Sequence, residues 1–402
     1  MFTQYDNRVT SLNDLVSTLH LRHGVNITKQ ALDQRFSEVS VLFLKQLVEK
    51  FLREILPKES ELEQFKPFKT VRIKDSTCFQ LPKEYVDVYP GSGGSASCAM
   101  IRIQFEYDFK SGKVFDLSLH AFNDQDQTNT IETLDNINEG DLIMRDLGYV
   151  NMKYLQAINT VCAYYLNRPA SNINMYEKLG NGDFKKLDYC KIRKEMKNNG
   201  RSAIEKEVYL SADKSIKTRL IIELLPEKEA AKRIRNAKKG AKKKKRQLSK
   251  NYINRAFLNL FITNIPAKLV ETKKIRNLYR IRWQIELIFK TWKSFSQLHQ
   301  IKQMKIERFN TNLYATLLLI LMNWKILWEA YSWYWEDQGV FVSLIKFYKR
   351  LVAQQSEIRI GLQQGRDSLT EEFIKLFTIP TAMIQLEKKK GKLSLLEILL
   401  RN

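Results

Sequence analysis

An aspartate stands on the apolar face of a strand. Val71, Ile73, Thr77 and Phe79 alternate along residues 71–79, and Asp75 shares their side. Side chains in a strand repeat every second residue, so the carboxylate is carried toward a core unless it has a polar task. The same period of two recurs in Ile101, Ile103, Phe105 and Tyr107, and again in Phe115, Leu117 and Leu119, with Ser111-Gly112-Lys113 as the hairpin turn between them. A short apolar run, Leu142 to Arg145, ends on a second acid, Asp146. A helix is expected from about Asn151, and a fifth strand through residues 160–166. Strands that alternate with helices place the chain in the α/β class.

The third acid lies on a helical pattern. Taking about 100° per residue from Tyr279, the residues Arg282, Glu286 and Lys293 fall within roughly a 60° arc, so one stripe carries a phenol, two cations and a carboxylate. Leu278, Ile281, Ile285, Ile288, Phe289 and Trp292 form the adjoining stripe, which is expected to face a core. Spacing alone also admits an exposed helix laced with charge pairs. Each acid has an ordinary alternative too: a turn or cap residue for Asp146, a paired interior acid for Asp75, with Asp108, Asp116 and Asp141 as neighbouring rivals.

The spacing Tyr279-x2-Arg282-x3-Glu286-x6-Lys293 resembles the Tyr-Arg-Glu-Lys signature of DDE transposases of the insertion sequence four family. Ile73-Lys74-Asp75-Ser76-Thr77 and the run from Gly140 to Tyr149 around Asp146 resemble the remaining acidic motifs, in the same order. Pro90-Gly91-Ser92-Gly93-Gly94 adds to a likeness that spans roughly residues 70 to 300. The resemblance implies an RNase H-like, retroviral-integrase-like catalytic core in which Asp75, Asp146 and Glu286 are the catalytic acids and the metal ligands. It also implies that Tyr279, Arg282 and Lys293 contact phosphates near the cut end of the element.

The chemistry suits those residue types. A phosphodiester is an anion that repels an attacking hydroxyl, and two divalent ions about 4 Å apart neutralise it and align the attacking and leaving oxygens. Three carboxylates offer the hard oxygen ligands that Mg2+ prefers, with Mn2+ as a substitute. Relatives that pass through a hairpin stack a flipped base on a tryptophan of the insertion. Here Trp283, Trp292, Trp324, Trp328, Trp333 and Trp335 all lie outside it, so Tyr176, Phe184, Tyr189 or Tyr209 would have to serve.

Charge points independently to a polyanion. With 67 Lys and Arg against 44 Asp and Glu, the net charge of +23 favours nucleic acid as partner. Between residues 227 and 250 stand 12 Lys or Arg against Glu227 and Glu229, a run expected to be a solvated loop that a phosphate backbone would order. Lys242, Lys243, Lys244, Lys245 and Arg246 are its densest part. Cys78, Cys98, Cys162 and Cys190 have no metal-ligand spacing. Residues 1–10 have neither a basic nor an apolar leader pattern, and Asn323 and Lys325 interrupt the apolar run Leu313 to Met322. A bacterial cytosolic protein with no membrane partner, associated with the nucleoid when on DNA, is the expectation.

The organisation expected is a helical domain at 1–62, the first part of the core at 63–168, a β-rich basic insertion at 169–256, the second part of the core with the Glu286 helix at 257–303, and a helical region at 304–402. In the first, the pattern fits either a helix-turn-helix or a small helical bundle. As a helix-turn-helix it would have Thr28 as cap and present Lys29, Gln30, Gln34 and Arg35 to a DNA groove. Insertion strands are expected at 207–211 and 216–225, and a strand at 257–265 leads back to the core. The function so implied is an insertion-sequence transposase that cuts its terminal inverted repeats and joins the 3′-hydroxyl to target DNA as a homodimer. A silent DNA-binding repressor and a structure-selective nuclease of the same fold are the alternatives.

Overall fold

The computed structural model describes residues 11–54, 65–93, 98–124, 133–243, 245 and 247–386. Two compact units are present. One holds the described parts of Met1–Gln64, Asp75–Asn123 and Trp283–Asn402, the other those of Phe65–Lys74 and Asp124–Arg282.

In the second unit the sheet is long. Val71–Lys74, the first half of β1 (Val71–Gln80), pairs in parallel with β4 (Leu142–Arg145), and β4 pairs in parallel with β5 (Tyr164–Asn167). Helix α4 (Met152–Thr160) makes the crossover between β4 and β5, capped by Asn151, whose side chain accepts from the Tyr154 N–H. Beyond β5 the order runs β10 (Leu258–Thr263), β9 (Ile216–Leu224), β8 (Ala203–Leu210), β6 (Met175–Lys178) and β7 (Phe184–Lys186). These additions are antiparallel. The segment 169–256 thus widens the sheet through the β9–β10 pairing.

Helices of the same segment are α5 (Tyr189–Asn198), α6 (Glu227–Lys243) and α7 (Lys250–Ala256). The core beneath includes Ile143, Leu155, Ile158, Tyr165, Val208, Leu220, Ile222 and Leu260. The basic run that composition suggests as a loop is largely the helix α6. Ala230 is buried, and Arg233, Ile234, Ala237 and Ala241 follow at helical spacing as half-buried positions, so a narrow docked stripe exists among good helix formers.

In the first unit β1 completes its course and the order continues β1-β2-β3, with β2 (Met100–Asp108) and β3 (Val114–Ala121) antiparallel around the Ser111-Gly112-Lys113 turn. The helices α1 (Leu12–His23), α2 (Lys29–Arg35) and α3 (Glu38–Glu54) precede them. Later in the chain come α9 (Gln284–Phe295), α10 (Ile306–Gln338), α11 (Leu344–Ala353), α12 (Gln355–Gln364), α13 (Arg366–Phe377) and α14 (Thr381–Ile384).

Aromatic rings tie hairpin to helices. Phe105 meets Trp292 at 4.9 Å and Trp324 at 5.5 Å, and Trp324 stacks on Trp328 at 5.1 Å. Helix α3 lies along α10, where the Ser40 and Thr311 hydroxyls meet at 3.0 Å. Helix α10 contains an 18-residue window of mean hydropathy 1.3, long and apolar enough to cross a membrane, yet 67% of that window is buried inside the protein. Asn323 interrupts the apolar run in sequence but not in the fold. It is buried, accepts from Gln355 Nε2 at 3.1 Å and lies 3.5 Å from the Tyr348 hydroxyl.

Candidate active site

Asp146 follows β4 directly. It occupies the cap position of a 3-10 turn, Leu147–Tyr149, but its side chain makes no capping bond, so the ordinary role of a turn acid is not the one it performs. Its Oδ1 lies 3.9 Å from Nη2 of Arg282, and its side chain is partly open to solvent. The Arg282 guanidinium stands over the Tyr279 ring at 5.7 Å, while Phe261 of β10 packs against that ring at 5.3 Å.

The Tyr279 hydroxyl is buried and its proton finds no acceptor among the described residues, the Arg282 guanidinium beside it being a donor only. Burial pushes its pKa up to about 12, opposed by Arg282 and Arg168 and assisted by Asp146. Arg168 is a cation the sequence reading missed. It directly follows β5, whose parallel register with β4 sets the residue after Asn167 beside the residue after Arg145. The Arg145 N–H donates to Asn167 Oδ1 at 3.0 Å, which fixes that register. The available signal was a basic residue at the C-terminal end of a parallel strand, where open α/β sheets gather their ligands.

Two of the three rival acids, Asp108 and Asp141, have structural duties. Asp108 accepts from the Lys110 and Ser111 N–H groups and from the Ser111 hydroxyl, which fastens the hairpin turn. Asp141 accepts from the Thr70 hydroxyl at 2.7 Å and the Asn138 N–H at 3.0 Å, and pairs with buried Arg72 at 3.6 Å. The residues just before Asp75 and Asp146 are fully buried cations. Lys74 and Arg145 are register partners, and both reach the Thr133 hydroxyl, at 3.4 and 3.2 Å.

In the other unit Asp75 is partly exposed between buried Ile73 and Thr77, and its Oδ1 accepts from the Ser76 N–H at 2.8 Å. Glu286 stands on the first turn of α9 and accepts from the indole N–H of Trp283, an exposed ring. Ile285, Ile288, Phe289 and Trp292 bury the opposite side of α9, and Lys293 follows Glu286 two turns along the same side.

One expectation is corrected. Tyr279, Arg282, Glu286 and Lys293 do not ride a single uninterrupted helix. Helix α8 (Thr272–Arg280) gives way to a 3-10 turn, Ile281–Trp283, before α9 begins. Three residues per turn advance the phase faster than 3.6, so the arc computed for one regular helix does not carry across. Tyr279 and Arg282 are paired in one unit, Glu286 and Lys293 in the other. The six apolar positions assigned to the core stripe are nevertheless all buried.

Elsewhere, Lys29, Gln30 and Arg35 are exposed on α2, and the Thr28 hydroxyl caps it by accepting from the Ala31 N–H at 3.1 Å. Lys242, Lys243 and Lys245 are exposed, and Lys244 and Arg246 lie outside the described residues. Of the insertion aromatics, Tyr189 is buried, whereas Phe184 and Tyr209 form an edge-to-face pair at 5.0 Å. The acids at 75, 146 and 286 have the oxygen donors that suit magnesium. Among the described residues, however, no three His, Cys, Asp or Glu side chains gather closely enough to hold a metal ion.

Comparison with known proteins identifies the family. Residues 66–323 match the model of the transposase DDE domain. The chain is 31% identical to the transposase for insertion sequence element IS231B of Bacillus thuringiensis subsp. berliner, over 92% of this chain and 80% of that protein. It is 34% identical to the transposase for IS231F of Bacillus thuringiensis subsp. israelensis, over 77% and 67%. With the transposase for IS1151 of Clostridium perfringens it shares 31% over 88% and 78%. A cryo-EM structure of the piggyBac transposase synaptic complex with hairpin DNA aligns at a TM-score of 0.37 and 10% identity, over 97% of this chain and 77% of that one. The chain belongs to the DDE transposases of the insertion sequence four type, enzymes that cleave and transfer DNA strands.

Proposed function

We propose that this transposase works by cut and paste on an RNase H-like core, with Asp75, Asp146 and Glu286 as its catalytic acids. The strand order β3-β2-β1-β4-β5, with β1, β4 and β5 parallel, supports the core assignment. Water attacks the phosphodiester at each element end, and the 3′-oxygen leaves with a proton as a free hydroxyl. That hydroxyl then bonds to a target phosphorus, and the target's own 3′-oxygen departs. Two magnesium ions held by the three acids would neutralise the phosphate and activate the attacking oxygen, with manganese able to replace them.

The chain's other groups bind and orient. Arg282, Arg168 and Tyr279 beside Asp146, and Lys293 along α9 from Glu286, would hold phosphates, since guanidinium groups match phosphate oxygens two at a time. The observation that carries the reading is the surroundings of Asp146. A carboxylate free of capping duty stands beside a guanidinium and near a buried hydroxyl that lacks an acceptor. Such a hydroxyl has a bond to offer an incoming oxyanion.

Helix α2 with Lys29, Gln30 and Arg35 would read the terminal inverted repeats. Two chains would pair two ends before joining them to target DNA in the bacterial cytosol, at the nucleoid. Incubating terminal-repeat DNA and a target plasmid with the wild type and with Asp75→Asn, Asp146→Asn and Glu286→Gln tests this. The wild type should cut and join, and the variants should bind ends without cutting them. Ends that are bound but never cut by the wild type would make it a repressor, and cutting without joining a nuclease. Covalently closed ends on a denaturing gel would establish the hairpin route, for which Phe184 and Tyr209 are the aromatic pair at hand.

A further inference from the structure

Helix α6 spreads positive charge well beyond the tip of the basic run. Its Ala230 is buried, Arg233 donates to the Leu258 carbonyl at 3.3 Å, and Glu227 pairs with Lys197 at 2.8 Å, so the helix is anchored along one side. Away from that side Arg235, Lys238, Lys239 and Lys242 are exposed, and none is in an ion pair among the described residues. They line a groove of about 530 Å³ together with Ile234 and Phe257. Phe257 is held in place by the Arg193 guanidinium, 3.4 Å from its ring centroid. The groove therefore has a rigid apolar floor and a wall made of cations.

Like charges stand four residues apart on this wall, Arg235 with Lys239 and Lys238 with Lys242. Such pairs destabilise a helix in isolation. An anion laid along the groove relieves that repulsion. From Arg235 to Lys242 the helix advances about 10.5 Å, at about 1.5 Å per residue. One DNA strand presents a phosphate about every 3.4 Å of its axis, so the span covers about three phosphate-to-phosphate steps. The apolar floor suits the carbon faces of the sugars between them. Lys and Arg also read guanine edges, but roughly half or more of the hydrogen bonds proteins make to DNA go to phosphate and sugar, and a row of four cations along one helix follows a line of phosphates more readily than it enters a groove to reach base edges.

We infer that the groove between α6 and Phe257 is a sequence-independent seat for the phosphate backbone of duplex DNA, occupied by target or flanking DNA as readily as by an element end. The inference rests on the transposase reading and adds to it where DNA lies on the β-rich segment. Binding of the full-length protein to two duplexes of equal length, one with the terminal repeat and one scrambled, tests it by fluorescence anisotropy over a salt series.

With R235Q/K238Q/K239Q/K242Q, affinity should fall at least tenfold on both duplexes. The slope of log K against log salt should become shallower by roughly 2 to 3, at about 0.9 for each phosphate that the variant no longer neutralises. The melting temperature without DNA should stay level or rise, because mutual repulsion has been removed, and this excludes misfolding as the cause. An unchanged slope overturns the inference while leaving the enzyme a transposase. A weakening confined to the repeat duplex overturns it as well, since the groove would then be reading sequence. Wild-type protein that binds neither duplex would end the transposase reading and the groove with it.

Discussion

Asp141 and Asp146 set a structural acid beside a proposed catalytic one. Asp141, five residues earlier, is consumed by Thr70, Asn138 and Arg72, whereas Asp146 leaves its cap position unused and faces Arg282. Asp146→Asn should lower end cleavage at least about 10³-fold, about 4 kcal/mol of barrier, with end affinity within about threefold of wild type. Cleavage rates and anisotropy on the same DNA measure both. A variant that still cuts at a tenth of the wild-type rate would remove Asp146 from the chemistry.

Tyr279 permits a sharper separation of roles. Its hydroxyl is buried and its proton finds no acceptor, so Tyr279→Phe should leave the fold as stable, or about 1 kcal/mol more stable, while weakening end binding several-fold. Urea denaturation combined with binding reads both effects, and a large drop in stability would show that the hydroxyl is structural. The same residue contributes to alkaline behaviour. Its phenol titrates near 12 when folded and near 10 when unfolded, so the folded state holds the extra proton between those values. Stability from this group is intact below pH 10 and declines as pH rises toward 12, by about 2 to 3 kcal/mol in all. Denaturation at pH 9 and 11.5 should show a smaller decline in Tyr279→Phe than in the wild type.

Among elements, the β2–β3 hairpin shows how a turn is matched to a helix. Gly112 has φ +73°, and a Cβ there would fall 2.3 Å from the Trp328 ring, while the Trp324 indole N–H donates to the Gly112 carbonyl at 2.8 Å. Gly112→Ala combines left-handed backbone with a clash against a packed indole and should cost about 2 to 4 kcal/mol. A midpoint of urea unfolding equal to that of the wild type would show that Trp328 moves aside freely. The hairpin was legible from Ser111-Gly112-Lys113 and the flanking alternation. Its fit to Trp324 and Trp328, more than 200 residues later, was not, because no local pattern specifies which distant ring a turn will meet. Helix α6 was hidden by its own charge: Lys and Arg obscured the thin stripe of Ala230, Ile234, Ala237 and Ala241.

For the whole molecule, the proposed joining of both element ends in one event would call for two chains. Sedimentation with saturating terminal-repeat DNA should give a complex of two proteins and two duplexes. A complex of one protein and one duplex that still joins both ends would remove the dimer. Helix α10 has the length and hydropathy of a membrane span, but most of its apolar window is already buried by α3, α11 and other parts of its own unit. The protein should therefore stay with the aqueous phase when mixed with neutral vesicles, and recovery in the vesicle pellet would contradict this.

By itself the sequence determined what short-range periodicity and residue chemistry can encode. The alternating strands, the Thr28 cap, the helix start near Asn151, the apolar side of α9, the excess of cations and the family signature were all readable, because each depends on residues a few positions apart. Only the tertiary structure decided that Asp108 and Asp141 are tied up in turns while Asp146 makes no capping bond. It alone placed Arg168 level with Asp146, broke the expected helix at residues 281–283 and continued the sheet from β10 into the inserted strands. Those outcomes depend on which strand edges and side chains meet across the chain, and burial and hydrogen-bond satisfaction settle that only when the whole core packs together.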